Sequence, residues 1–190
     1  MANLGILASG NGSNFQAIVD AVGPTEHDVS CLVCNKPGAY VIERAAKAGV
    51  PSIIVDYTGR RREEAELEIL SYLRVYGVDL IALAGFMKLL TPLLIDAYPG
   101  RILNIHPSLL PGYPGTGALE KSYQGNDDEL GITIHRIDYG LDTGPVVLQK
   151  SFKRSGNESL EEIEDKIHSL EHTYYPQVIL DLLGRLEAEK

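Results

Sequence analysis

Cysteine is scarce: there are two in 190 residues, Cys31 and Cys34. Their C-x-x-C spacing matches redox and metal motifs, but Asp28-Val-Ser-Cys-Leu-Val-Cys-Asn35 reads as a strand. Residues three apart on a strand face opposite sides, so the thiols are expected to sit apart as buried structural side chains. Basic residues are also short, 17 against 26 acidic, and the net charge of −9 argues against nucleic acid as a partner. An anionic small ligand stays possible, because backbone N–H groups can hold a phosphate on an acidic protein. No apolar run is long enough to span a bilayer, so no membrane association is expected. The opening, Met1-Ala-Asn-Leu-Gly-Ile-Leu7, lacks the basic start of a secretory signal and enters a strand at once. The expected compartment is therefore cytoplasmic, and the glycosylation sequon at Asn157-Glu-Ser159 carries no weight. Internal repeats, low-complexity stretches and linkers are missing too, so residues 1–190 read as a single domain with a proper core.

What is present is an alternation of strands and helices. Strands are expected at Leu4–Ala8, Val29–Cys34, Pro51–Asp56, Leu80–Ala84 and Arg101–Ile105. Helices are expected at Phe15–Val22, at Ala39–Ala48 with Gly49 ending it, and at Arg61–Tyr76 with Leu67, Leu70 and Leu73 on its buried face. Thr91 and Pro92 open a short helix. Gly131–Asp138 and Val146–Phe152 read as a hairpin-like pair of strands at one edge. Ser159-Leu-Glu-Glu162 is a capping box opening a long C-terminal helix, its apolar stripe at Ile163, Ile167, Leu170, Tyr174 and Val178. The fold class is α/β: one doubly wound, mostly parallel, Rossmann-like sheet with helices on both faces.

In such sheets ligands bind at the carboxyl ends of the strands. Three segments fall there. Ser9-Gly-Asn-Gly-Ser-Asn14 is a glycine-rich turn between a strand and a helix, where N–H groups and the positive helix end meet and a phosphate fits. Phe15 stands where a dinucleotide fingerprint needs its third glycine, and no acidic residue follows the second strand, so nicotinamide cofactors are not expected. Gly85-Phe-Met-Lys88 follows the fourth strand. Asn104-Ile-His106 ends the fifth; two apart on an extended backbone, the amide and the imidazole share a side. The amide can donate to an oxygen gaining charge and the imidazole can move a proton, with Asp142 supplying a carboxylate from a second loop. Taken singly, Asn104 could cap a turn and His106 could be a core histidine. His168-Ser-Leu-Glu171-His172 spells a zinc-peptidase signature, but it has no distal carboxylate ligand, and no metal is expected.

Over nearly its whole length the chain resembles the folate-dependent glycinamide ribonucleotide formyltransferases of purine synthesis. The segments that carry the resemblance are Ser9–Asn14, Leu83-Ala-Gly-Phe-Met87, Asn104-Ile-His-Pro-Ser-Leu-Leu-Pro111, Gly131-Ile-Thr-Ile-His135, Leu141-Asp-Thr-Gly-Pro145 and Glu171-His172. The resemblance implies transfer of a formyl group from the co-substrate 10-formyltetrahydrofolate to the amine of 5′-phosphoribosylglycinamide. It implies a catalytic trio of Asn104, His106 and Asp142, with His135 beside the pocket as a fourth catalytic candidate. It places Gly10, Asn11, Gly12, Ser13, Asn14, Pro107 and Glu171 on the ribonucleotide. It places Arg62, Phe86, Met87, Lys88, Leu89, Leu90, Ile95, Ile102 and Asn104 on the folate. Small molecules are then the only expected partners, to a monomer or a homodimer. After Pro114-Gly115 the family carries two histidines where this chain has Gly117 and Leu119, which leaves open a related enzyme with another amine, or water, as acceptor. A non-catalytic folate- or nucleotide-binding protein is a third reading, opposed by the intact trio.

Overall fold

The computed structural model describes residues 1–189. Its strands are β1 (Asn3–Ala8), β2 (Asp28–Cys34), β3 (Ser52–Ile54), β4 (Leu80–Leu83), β5 (Ile102–His106), β6 (Glu129–Arg136) and β7 (Val146–Lys153). Its helices are α1 (Ser13–Val22), α2 (Tyr40–Ala48), α3 (Arg62–Val75), α4 (Pro92–Ala97), α5 (Ala118–Gln124) and α6 (Leu160–Ala188). The strands form one sheet in the order β3-β2-β1-β4-β5-β6-β7. The first five are parallel, and β6 and β7 close one edge as an antiparallel pair.

The central strands are apolar on both faces because both faces are covered. On one side Leu4, Ile6 and Ala8 of β1 pack with Phe15 and Ile18 of α1, Val41 and Ala45 of α2, and Ile163, Ile167 and Ile179 of α6. On the other, Leu7 packs with Ala65, Ile69 and Leu73 of α3 and with Leu94 of α4. Gly5 sits on this second face, where a Cβ would lie 2.9 Å from the Leu73 side chain; its absence lets α3 approach. The cysteines divide as the strand alternation requires: Cys31 lies in the α3 core and Cys34 in the α1/α6 core. Burial pushes the Cys31 thiol up to about 12.

Some local expectations need correction. Leu67 is 55% exposed, and the buried face of α3 runs through Ala65, Glu66, Ile69, Leu70 and Leu73. Leu67 lies two residues, roughly 200° of helix turn, from both Ala65 and Ile69. The core position that apolar counting gave to Leu67 belongs to a carboxylate. Glu66 is wholly buried and accepts hydrogen bonds from the Thr91 N–H (2.8 Å) and hydroxyl (2.5 Å). Thr91 thus starts α4 without using its own side chain as the cap. Strand β3 is only three residues long: Pro51 has no N–H to give a ladder, and Asp56 folds a turn by accepting from the Thr58 N–H and hydroxyl. Helix α5 was not anticipated.

The α6 stripe is also rotated. The capping box forms as expected between Ser159 and Glu162. The buried ladder is Ile163, Ile167, Glu171, Tyr175 and Ile179, with Leu170 and Tyr174 half-buried beside it. Two polar members hide this four-residue period from an apolar-only reading. The Tyr175 hydroxyl lies 3.0 and 3.1 Å from the carbonyls of Leu83 and Leu103, so α6 is tied to the sheet where β4 and β5 meet. No helix among the described residues is long and apolar enough to cross a membrane.

Candidate active site

The first component is a row of side chains across β5 and β6. Asn104 pairs with His135 and His106 with Thr133, so all four project to the face that Ile102 shares. Asn104 Nδ2 lies 3.3 Å from His135 Nε2. His135 Nδ1 lies 3.0 Å from the Arg136 carbonyl, which can only accept, so Nδ1 carries the ring proton. Nε2 is then the acceptor, and the Asn104 amide donates to it. His135 is fully buried, and that desolvation lowers its pKa and keeps the ring neutral. Asn104 thereby has its amide orientation settled and one N–H left to point elsewhere.

His106 is held by the opposite nitrogen. Its Nε2 lies 2.8 Å from the Tyr113 carbonyl and must carry a proton there. Its Nδ1 faces Asp142, 3.5 Å from Oδ2. Asp142 sits in the left-handed region at φ 54, and its Oδ2 accepts the Gly115 N–H at 2.8 Å, so the loop after β6 and the loop after β5 brace each other. Asp142 Oδ1 lies 3.6 Å from His135 Nε2. An amide N–H, an imidazole with a defined free nitrogen and a carboxylate therefore meet at the carboxyl end of β5.

The second component is the turn after β1. Gly12 has φ +81, and a Cβ there would lie 2.5 Å from Val41 Cγ2, so only glycine fits. The turn presents the first N–H groups of α1, Ser13 and Asn14 among them, to one spot. Gly10 and Asn11 are exposed beside it. Arg44 of α2 steadies it, its Nε donating to the Asn11 carbonyl (2.9 Å) and its Nη2 to Asn11 Oδ1 (3.0 Å). Glu171 of α6 closes the other side, accepting from Asn14 Nδ2 at 2.9 Å. Burial raises the Glu171 pKa, and the Asn14 hydrogen bond opposes that rise. Pro107, half-buried, lies next to His106.

The third component is the loop after β4. The Ser9 N–H donates to the Gly85 carbonyl, and the Ser9 hydroxyl accepts the Met87 N–H at 2.9 Å and donates to Asn35 Oδ1. The end of β1 therefore anchors both this loop and the turn that follows Ser9. Phe86 and Leu90 pack toward the α3 core, while Met87 and Leu89 stand exposed. Lys88 lies over the Tyr57 ring, 5.2 Å from its centroid. Arg62 is exposed at the start of α3. Ile95 and Ile102 are both closed into the core, Ile102 to 1% exposure.

The profile of the formyl transferase family matches residues 2–179. The chain belongs to this family. It is 46% identical over 97% of its length to a phosphoribosylglycinamide formyltransferase of Bacillus subtilis, covering 96% of that protein. It is 38% identical to the Escherichia coli protein of the same name, over 93% of this chain and 85% of the other. A crystal structure of glycinamide ribonucleotide transformylase 1 from Geobacillus kaustophilus superposes with a TM-score of 0.92 at 46% identity, covering 97% of this chain and all of that one.

The two positions at which the resemblance leads one to expect histidines serve packing and the helix start. Leu119 is buried in the α1/α6 core, and Gly117, at φ +69, is the residue that starts α5. Several positioning groups were missed from sequence. The Tyr113 carbonyl carries no side-chain signal at all. Arg44 and Ser9 are visible only once α2 and β2 are placed beside the turn. The zinc-like run does not assemble: His168 and His172 stack 6.0 Å apart while Glu171 turns to Asn14. Among the described residues one ligand-like group converges, Glu26, His27 and Glu187, near the amino end of β2, and there the Met1 amine donates to Glu187.

Proposed function

We propose that this protein, as a single formyltransferase domain, moves the formyl group of 10-formyltetrahydrofolate to the amine of 5′-phosphoribosylglycinamide in purine synthesis. The observation that carries the reading is the meeting of Asn104, His106 and Asp142 at the carboxyl end of β5, with the phosphate turn and Glu171 on one side and the Gly85–Leu90 loop on the other. The ribonucleotide phosphate sits on the N–H groups of Gly12, Ser13 and Asn14, flanked by Gly10 and Asn11. Glu171 meets the sugar, and Pro107 borders the glycinamide. The folate lies along Phe86, Met87, Lys88, Leu89 and Leu90 with its acidic tail toward Arg62, and Ile95 and Ile102, closed into the core, back the pterin end from behind.

The chemistry follows from the donors. The neutral amine attacks the formyl carbon, forming a C–N bond and a tetrahedral intermediate with a negative oxygen and a positive nitrogen. The free Asn104 N–H stabilises that oxygen, and His106 joins it once Nδ1 has received the amine's proton by way of Asp142. Asp142 takes the proton that the amine loses, directly or through water. The C–N10 bond then breaks as N10 receives a proton through His106, so the net proton transfer is from amine to N10. His135 acts through Asn104, by holding its amide. This set of groups needs no metal and no covalent nucleophile. The partners are small molecules; neither nucleic acid nor a membrane takes part, and the working form is a cytoplasmic monomer or homodimer.

The rival acceptors rest on Gly117 and Leu119, and the phosphate turn with Glu171 beside it supports the ribonucleotide. The test is to mix the protein with formyl-folate and a panel of amines and follow the folate absorbance. Turnover with phosphoribosylglycinamide alone is expected; turnover with water or with an amino sugar instead overturns the acceptor.

A further inference from the structure

Beyond the groups that meet the substrates, we infer that Thr133 is a positioning residue for His106, acting through the loop that runs from Pro107 to Tyr113. Thr133 lies directly opposite His106 on β5 and directly opposite Gln149 on β7, in one cross-strand row. It is fully buried. Its hydroxyl donates to the Ser108 carbonyl at 2.7 Å and accepts from the Leu110 N–H at 3.0 Å and from Gln149 Nε2 at 2.9 Å. One donor and two acceptor sites are all a hydroxyl has, and all three are used.

The loop is thus held at Ser108 and Leu110. Gln149 adds a second bond, from Nε2 to the Leu110 carbonyl at 2.8 Å. From there the restraint passes to Tyr113. The Ser108 hydroxyl donates to the Gly112 carbonyl at 2.7 Å and reaches the Tyr113 carbonyl at 3.5 Å. The Tyr113 carbonyl is the group that takes the His106 Nε2 proton. Tyr113 itself sits at φ 55, a conformation a free loop would leave. The hydroxyl on β6 therefore decides where the carbonyl that sets the His106 tautomer stands. Without it, the ring can exchange its protonated nitrogen and turn Nδ1 away from Asp142.

The inference rests on the proposed formyl transfer for its kinetic readout, and a second readout needs no substrate. Thr133→Val keeps the shape and removes the hydroxyl, while Thr133→Ser restores the hydroxyl. In the substrate-free protein, nitrogen-15 resonances of labelled histidine report which His106 nitrogen bears the proton. We expect the Nε2-protonated form in the wild type and in Thr133→Ser, and a mixture in Thr133→Val. We expect kcat of Thr133→Val to fall on the order of a hundredfold, as for a small misplacement of a reacting group, with KM for both substrates nearly unchanged. Thr133→Ser should recover most of it. If Thr133→Val fails to fold, Gln149→Leu on the exposed edge strand removes one bond to the loop, at the Leu110 carbonyl, and one to the Thr133 hydroxyl, and should shift both readouts the same way, less far. An unchanged His106 tautomer in the folded variants overturns the inference, and so does a loss confined to KM or one that Thr133→Ser does not repair. A wild type that shows the expected tautomer yet no formyl transfer would instead overturn the functional reading.

Discussion

At the scale of single residues, the two histidines of the site have opposite assignments. His135 gives its Nδ1 proton to a carbonyl and offers Nε2 to Asn104, while His106 gives its Nε2 proton to a carbonyl and offers Nδ1 to Asp142. Both free nitrogens lie near Asp142, but that of His135 is taken by the Asn104 amide, which leaves His106 Nδ1 to share a proton with the carboxylate. His106→Ala and Asp142→Asn should therefore each lower kcat by about a hundredfold or more in a folded protein, and wild-type-like kcat in either purified variant would remove that residue from the proton path. His135→Asn should lower kcat while calorimetric binding of phosphoribosylglycinamide stays near wild type, because His135 touches Asn104 and not the phosphate turn. Unchanged kcat would return His135 to a packing role. The i, i+2 spacing made Asn104 and His106 legible from sequence as one pair. His135 was legible only as a neighbour, since its place opposite Asn104 depends on the β5–β6 register. The Tyr113 carbonyl was not legible, because backbone groups carry no letter.

At the scale of elements, the turn before α1 makes the sharpest demand. Gly12→Ala places a methyl against Val41 and forces an alanine to φ +81, so the turn must shift. Ribonucleotide affinity should fall by tenfold or more while the far-UV spectrum is retained; calorimetry showing wild-type affinity would take the phosphate off this turn. Helix α6 provides a second case. Tyr175→Phe leaves the Leu83 and Leu103 carbonyls without their shared donor and should cost about 1–3 kcal/mol in urea unfolding. A change of a few tenths would mean that apolar contacts alone hold α6 to the sheet. Apolar spacing was enough to place α6 and its cap, because Ser159 and Glu162 signal locally. It misjudged the buried stripe, because Glu171 and Tyr175 occupy core positions for hydrogen-bonding reasons. The same cause misplaced Leu67 on α3, where Glu66 holds the core position.

At the scale of the whole molecule, two buried carboxylates leave a mark on the pH dependence of folding. Glu66 and Glu171 both have pKa values raised by burial. A carboxyl whose folded pKa lies above its unfolded one contributes stability that is present below the unfolded value and is lost as pH rises through the folded value. For Glu66→Gln, the stability advantage of wild type over variant should thus be larger at pH 5 than at pH 7. Denaturation midpoints at the two pH values check this; an advantage that grows toward pH 7 would mean the Thr91 bonds outweigh desolvation. The architecture as a whole was readable from the alternation of strands and helices, with its antiparallel edge. What the alternation did not contain was α5, whose seven residues follow Gly117 with no apolar period long enough to detect. The central claim is that one pocket joins the phosphate turn to the formyl-folate loop through Asn104, His106 and Asp142. The most direct measurement places carbon-13 in the formyl group of 10-formyltetrahydrofolate and follows it by NMR in the presence of enzyme and phosphoribosylglycinamide. The label should move to the glycinamide nitrogen, and only when the ribonucleotide is present. Label released as formate, or retained on the folate with the ribonucleotide in excess, would contradict the account.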